Sequence, residues 1–288
     1  MDGNGVPKKK GVIQPIVGVL AAVGAIFAYL MILTLVTLAF DLGARMARPN
    51  ATAEEIKETT YSLATVSGIV GNVVAAGILA LILILIKRKA GETLRLKTFS
   101  PLAVFPCVVL GVAFNFFSEC AVALIPFPDS VIETYQEIYS YLGKGNIVLE
   151  MIGVVIVTPI VEELVFRGIA YRSMRKRMGA ALSVILSAVF FGLAHGNVLS
   201  FVYTTALGVL LAVSFEAHGS LFVPIIIHAS FNAASYLTEY AFDDPSAGTL
   251  ALVAAISGAL SAAALIFSLN TAKRRKINSQ SAERTGTE

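Results

Sequence analysis

Glu162 and Glu163 are adjacent, and Arg167 follows Glu163 by four residues. An acid four residues before a base is the favourable order for an ion pair along one helix, so Glu163 and Arg167 can neutralise each other. On a helix Glu162 points about 100° away from Glu163, where no such cation is in reach. A carboxylate without a cation in a low-dielectric setting is suited to draw a proton from water, as a general base does. His228 and Asn232 are also four apart and share a helical face. Together they can donate to one oxygen, which is what a developing oxyanion needs. His195 ends the run Phe191-Gly192-Leu193-Ala194-His195 and can hold the carboxylate in place or share the water's proton. The chemistry that these types and spacings imply is hydrolysis by an activated water.

The segments that carry these groups are apolar. Residues 150–172, EMIGVVIVTPIVEELVFRGIAYR, are long enough to cross a bilayer, yet hold Glu162, Glu163 and Arg167 near the middle. Charge at that depth costs several kcal/mol even on lenient scales, so it marks a functional site by default. At about 1.5 Å per residue from the basic ends of their segments, Glu162 lies roughly 15 Å deep, His228 and Asn232 roughly 12–18 Å, and His195 roughly 22 Å. In a hydrocarbon core of about 30 Å, all four fall around the middle third. The remaining histidine, His218, stops at the edge and reads as a satisfied interfacial residue.

Only 14% of the 288 residues are charged, 56% are hydrophobic, and the mean hydropathy is +0.78. Soluble domains carry about 25% charged residues. The expected fold is therefore an all-α, polytopic membrane helical bundle of about eight spans, with a four-helix catalytic core. The net charge of +3 does not point to nucleic acid, because the basic residues form short clusters beside apolar segments. Such clusters set topology and touch anionic lipid headgroups. Cys107 and Cys120 sit in one apolar segment, roughly 20 Å apart on a continuous helix, which excludes a disulfide between them.

In chain order, Lys8, Lys9 and Lys10 precede a first span from about Val12 to Phe40, too long for a cleavable signal. Asn50-Ala51-Thr52 has the form of a glycosylation acceptor, a triplet common by chance. The second span is expected at about Ser62–Ile86 and the third at about Pro101–Ile125, where Asn115 and Glu119 share a face toward the bundle interior. Residues 128–145 are amphipathic, with Val131, Tyr135, Ile138 and Leu142 on one stripe, and read as a helix lying on the membrane at the mouth of the site. The fourth span, 150–172, ends in Arg172, Arg175, Lys176 and Arg177; the fifth reaches His195, and a break at Gly196-Asn197 leads to the sixth. The seventh covers about Leu221–Tyr236. An acidic loop with Glu239, Asp243 and Asp244 comes next, then the eighth, about Leu250–Leu269, and a polar tail expected to be disordered. With eight spans, 17 of the 22 Lys and Arg fall on the side of both termini, which the positive-inside rule makes cytoplasmic.

Glu162-Glu163-x-x-x-Arg167, Phe191-x-x-x-His195 and His228-x-x-x-Asn232 together resemble the three signature motifs of the CPBP, or Abi, family of intramembrane proteases. That family includes the CAAX prenyl endopeptidases of Ras-type proteins and bacterial proteins tied to bacteriocin maturation or self-immunity. The resemblance covers about residues 147–240. It implies that Glu162 is the catalytic glutamate and His195 its partner in activating water. It implies that His228 and Asn232 stabilise the tetrahedral intermediate, and that Glu163 and Arg167 support the site. The family has been labelled metalloprotease, but no HExxH helix is present. The expectation is no obligatory cofactor, with zinc on Glu162, His195 and His228 as the alternative.

The chain thus divides into residues 1–145 (three spans and the surface helix), 146–240 (the CPBP-like core) and 241–288 (last span and basic tail). The leading expectation is an intramembrane endopeptidase acting on a peptide or membrane-protein substrate in a bacterial plasma membrane. Its partners are membrane lipid and substrate, with no nucleic acid. The alternatives are a non-proteolytic immunity or scaffold protein on the same fold, and a proton-coupled transporter.

Overall fold

The computed structural model describes residues 13–139, 146–241 and 245–285, and every regular element among them is helical. α1 (Ile13–Ala47) and α2 (Ala53–Leu85) form a long hairpin. Thr52 starts α2 with a capping box: its hydroxyl accepts the Glu55 N–H, and the Glu55 carboxylate accepts the Thr52 N–H at 2.7 Å. The hydroxyl of the Asn50-Ala51-Thr52 triplet is therefore used by the fold. A 3₁₀ turn, Pro101–Ala103, leads into α3 (Val104–Ala123), followed by the short α4 (Asp129–Tyr139). α5 spans 147–175. After it come α6 (Ala180–Leu193), α7 (Val198–His218), α8 (Phe222–Ala241) and α9 (Ala247–Thr285).

α5 lies in the middle of the bundle and is not a regular α-helix. Its α-helical runs Ile147–Met151, Thr158–Glu163 and Arg172–Arg175 alternate with π-helical turns, Ile152–Val157 and Leu164–Tyr171. The sequence explains the first. Pro159 has no N–H, so the Val155 carbonyl loses its helical donor and faces the proline ring. A wider turn relieves both, and the Thr158 N–H reaches back five residues to the Gly153 carbonyl. α2 packs on the first half of α5, α1 on the second half, and α6 and α8 close the other sides.

The remaining helices support these. α3 runs against both α8 and α9, and α6 pairs with α7 across a tight turn. Gly196 makes that turn at φ +76°, and the Asn197 side chain caps α7 by accepting the Ser200 N–H at 2.7 Å. Small residues allow the closest approaches, as expected where lipid removes any hydrophobic drive between helices. A Cβ on Gly111 of α3 would collide with the Ile227 carbonyl of α8, and one on Gly208 of α7 would meet Ala188 of α6 at 2.9 Å. The outer faces stay apolar: Leu20, Phe27, Leu35 and Leu38 of α1 are all exposed. Lipid, not water, is the solvent that suits them.

Among the described residues, five helices are long and apolar enough to cross a membrane: Ile13–Ala47, Ala53–Leu85, Pro101–Ala123, Val198–His218 and Ala247–Ser281. The chain is an integral, multi-pass, all-α membrane protein. Length and composition do not establish eight crossings, however. α6 has 14 residues, which at 1.5 Å each is about 21 Å, short of a core of about 30 Å. α5 carries the charged site. A second difference lies in the tail. α9 continues as helix through Lys273–Lys276 to Thr285, with no Gly or Pro to stop it, although the polar end after Lys276 was expected to be disordered.

Cys107 and Cys120 are buried free thiols on one helix, as their spacing implies. The amphipathic segment is helical over Asp129–Tyr139. Leu142 and Lys144 lie outside the described residues, as do Lys8, Lys9, Lys10, Asp243 and Asp244, and the side chains of Ile138 and Glu239 are not described.

Candidate active site

The acids of α5 and the histidine of α8 meet inside the bundle. Glu163 and Arg167 are both 0% exposed and pair at 2.8 Å from Oε1 to Nη1. Arg167 also donates from Nη2 to the Gly208 carbonyl of α7 at 3.1 Å. Its guanidinium lies 4.4 Å from the centre of the Phe191 ring. The bland role expected of Glu163, neutralising Arg167, is present but incomplete, because its Oε1 also faces His228 Nδ1 at 3.1 Å.

Glu162, with no cation in reach along its own helix, was expected to face groups brought by other segments. Its Oε2 lies 3.8 Å from His228 Nε2, so the acid that lacks an intrahelical cation faces an imidazole from another helix. Its side chain is 15% exposed, while Glu163 is sealed at 0%. Of the two adjacent acids, Glu162 is the one a small molecule can reach. The turn of 100° per residue makes this division: one acid is locked to Arg167, and its neighbour looks across to α8.

His228 therefore has one ring nitrogen toward each acid. A carboxylate only accepts, so Nδ1 carries a hydrogen toward Glu163, and Nε2 is the atom left facing Glu162. Asn232, one turn further along α8, does not share an oxygen with His228 in this arrangement. Its Nδ2 donates to the Val154 carbonyl at 2.8 Å, a group in the first π turn of α5. His195 is held by its own helix, with Nδ1 2.8 Å from the Phe191 carbonyl. A carbonyl cannot donate, so Nδ1 bears the hydrogen and Nε2 of the neutral ring is free to accept. The Phe191 ring sits between the two histidines, 4.9 Å from the His195 ring centre and 5.6 Å from that of His228.

Among the described residues, no group of three or more His, Cys, Asp and Glu stands as a set that could hold a metal ion. Of the residues named for zinc, Glu162 and His228 face each other at 3.8 Å, and His195 is held by the Phe191 carbonyl.

Several wall residues were not singled out from the sequence. Tyr29 of α1 donates to Asn72 Oδ1 of α2 at 3.0 Å, and Asn72 donates on to Thr158 Oγ1 of α5 at 3.4 Å. Tyr29 is near enough to Glu162 for the two to interact electrostatically. A tyrosine and an asparagine inside otherwise apolar spans were the available signal. Beyond Asn232 a cavity of about 480 Å³ opens at the end of the bundle away from the basic clusters. Val154, Glu119, Glu150, Tyr236 and the α4 residues Tyr135 and Tyr139 are in its wall. Glu150 is buried and accepts the Tyr236 hydroxyl at 3.2 Å. Asn115, expected to face inward, is fully buried and accepts the Thr238 hydroxyl at 3.5 Å. Burial, and then the Glu119 carboxylate, push the Tyr135 phenol above its ordinary range. His218 is satisfied at the edge, with Nε2 2.9 Å from Ser268 Oγ.

A Bacillus subtilis (strain 168) protein named "Putative membrane peptidase YdiL" is 30% identical over 77 residues, 27% of this chain and 32% of that protein. The chain therefore covers about a third of the length of this curated relative. No solved structure matches. Residues 144–234, which hold the acid pair, Arg167, both site histidines and Asn232, match the family model described as type II CAAX prenyl endopeptidase, Rce1-like, and it is to this family that the region is similar.

Proposed function

We propose that the chain is an intramembrane endopeptidase that hydrolyses a peptide bond with water activated by Glu162. The observation that carries this reading is a buried imidazole, His228, set between two acids of which only Glu162 is accessible. Similarity of residues 144–234 to CAAX-type endopeptidases supports the reaction class.

A water beside Glu162 gives its proton to the carboxylate and attacks the peptide carbonyl carbon. His195 Nε2 accepts the water's second hydrogen as a hydrogen bond and fixes the direction of attack. The carbonyl oxygen takes negative charge. His228 meets that charge as an imidazolium, with Nδ1–H held by Glu163 and Nε2–H turned to the oxyanion, which is the orienting role a carboxylate plays behind a catalytic histidine. Two carboxylates, one guanidinium and one imidazolium leave the cluster neutral. Asn232 joins when its amide leaves the Val154 carbonyl for the substrate oxygen. As the C–N bond breaks, Glu162 passes its proton to the leaving nitrogen, so one water is consumed and one acid and one amine are released. Substrate enters from the cavity beyond Asn232, under α4. The basic clusters and both termini face the cytoplasm, as in a bacterial plasma membrane.

The test compares membrane and small secreted peptides, by mass spectrometry, in cells carrying wild type or Glu162→Gln. Fragments that depend on the wild type should disappear at equal protein level. Matching fragment sets refute the reading, and an immunity phenotype that survives Glu162→Gln favours a scaffold instead.

A further inference from the structure

A second concave site lies at the opposite end of the bundle, where α5, α7 and the segment after α2 converge. It is a cavity of about 220 Å³ lined by Arg95, Tyr171, Arg172, Arg175, Lys176 and Glu216. Four of these six are cations and one is an acid. That acid is already engaged: the Tyr171 hydroxyl donates to Glu216 Oε2 at 2.8 Å and Arg175 Nε donates to Oε1 at 2.9 Å.

The other cations are held in place. The Arg95 guanidinium lies over the Phe215 ring at 5.8 Å, and its carbonyl accepts the Leu221 N–H at 3.1 Å. Arg172 reaches the Glu92 carbonyl at 3.5 Å. Burial, and then neighbouring Arg172, Arg177, Arg88 and Arg95, hold the Lys176 ammonium below its ordinary value. Like charges are thus gathered around an open space that holds a single, committed carboxylate. Arginine forks fit the oxygens of a phosphate, which would relieve that repulsion. The cavity stands where apolar helices give way to basic sequence, the level of lipid headgroups.

We propose that this cavity binds a phosphate group, presented by an anionic lipid headgroup or by free phosphate. The site is independent of the peptidase reading.

The full chain is placed in phosphatidylcholine nanodiscs with or without phosphatidylglycerol, and separately in lipid-free micelles with inorganic phosphate. Thermal unfolding and lipid retention by native mass spectrometry are read. Wild type should retain phosphatidylglycerol over phosphatidylcholine, and Arg172→Gln should weaken retention about fivefold or more. Lys176→Gln, at an exposed position, should do the same and is the second cavity variant. Lys273→Gln removes equal charge from the tail of α9, outside the cavity, and should have less than about a twofold effect. Protection by inorganic phosphate that the two cavity variants abolish also supports the site and assigns it to a soluble source. Equal weakening by Lys273→Gln, or no preference for either phosphate probe, overturns it.

Discussion

Arg167→Leu is the most informative single change. The arginine pairs with Glu163 at 2.8 Å, both side chains are 0% exposed, and no solvent screening discounts the interaction. Leucine leaves Glu163 with His228 as its remaining cationic partner and takes the donor from the Gly208 carbonyl. Removing one member of a buried pair costs about 3–5 kcal/mol, because the other charge stays buried. The double variant Glu163→Gln/Arg167→Leu buries no orphan charge, so it should recover part of that loss, with a coupling of about 0.5–3 kcal/mol. Reversible unfolding in mixed micelles of the wild type, the two single variants and the double gives the cycle directly. If Arg167→Leu stays within about 1 kcal/mol of wild type, or the double is simply additive, the pair does not hold α5 in place as argued.

Other outcomes follow from the same geometry. Glu162→Gln should lower cleavage by about 10²–10⁴-fold with little change in stability, measured on the peptides that the wild type releases. Zinc analysis of purified active chain should fall well below one atom per molecule; one equivalent, with activity lost to chelator and regained with zinc, would reverse that expectation. Gly111→Ala forces a methyl against the Ile227 carbonyl and pushes α8 off α3, so it should cost about 1–3 kcal/mol and reduce activity with it. Tyr29→Phe removes the hydroxyl given to Asn72 and should cost about 1 kcal/mol in the same unfolding assay.

The site was legible where charge stood in an apolar run. Glu163 and Arg167 could be paired from their spacing alone, since four residues along a helix determine the neighbour. What spacing along one helix cannot give is the partner on another. Glu162 was expected to lack a cation on its own helix and to face imidazoles from others; its distance from His228 comes from the packing of α8 against α5. The same limit applies to Asn232: its face was readable, its acceptor on Val154 was not. Tyr29 and Asn72 went unmarked because single polar residues in a span carry no pattern. In the fold, apolar length identified the five long helices but not eight crossings, and helix ends followed local propensity. α9 thus runs past its lipid-facing stretch into Lys273–Lys276, where charge permits helix as well as coil.

The wide turns of α5 have a consequence for its numbering along the chain. Each accommodates surplus backbone relative to an ordinary helix, so the groups on either side keep nearly the phase that a regular helix one residue shorter would give them. Deleting one amino acid from Ile152–Val157 would therefore let the turn close to regular pitch and leave Glu150, on the far side of that turn, in nearly the same phase relative to Glu162. What such a deletion would remove is the room around Pro159, whose ring would again face the carbonyl four residues before it.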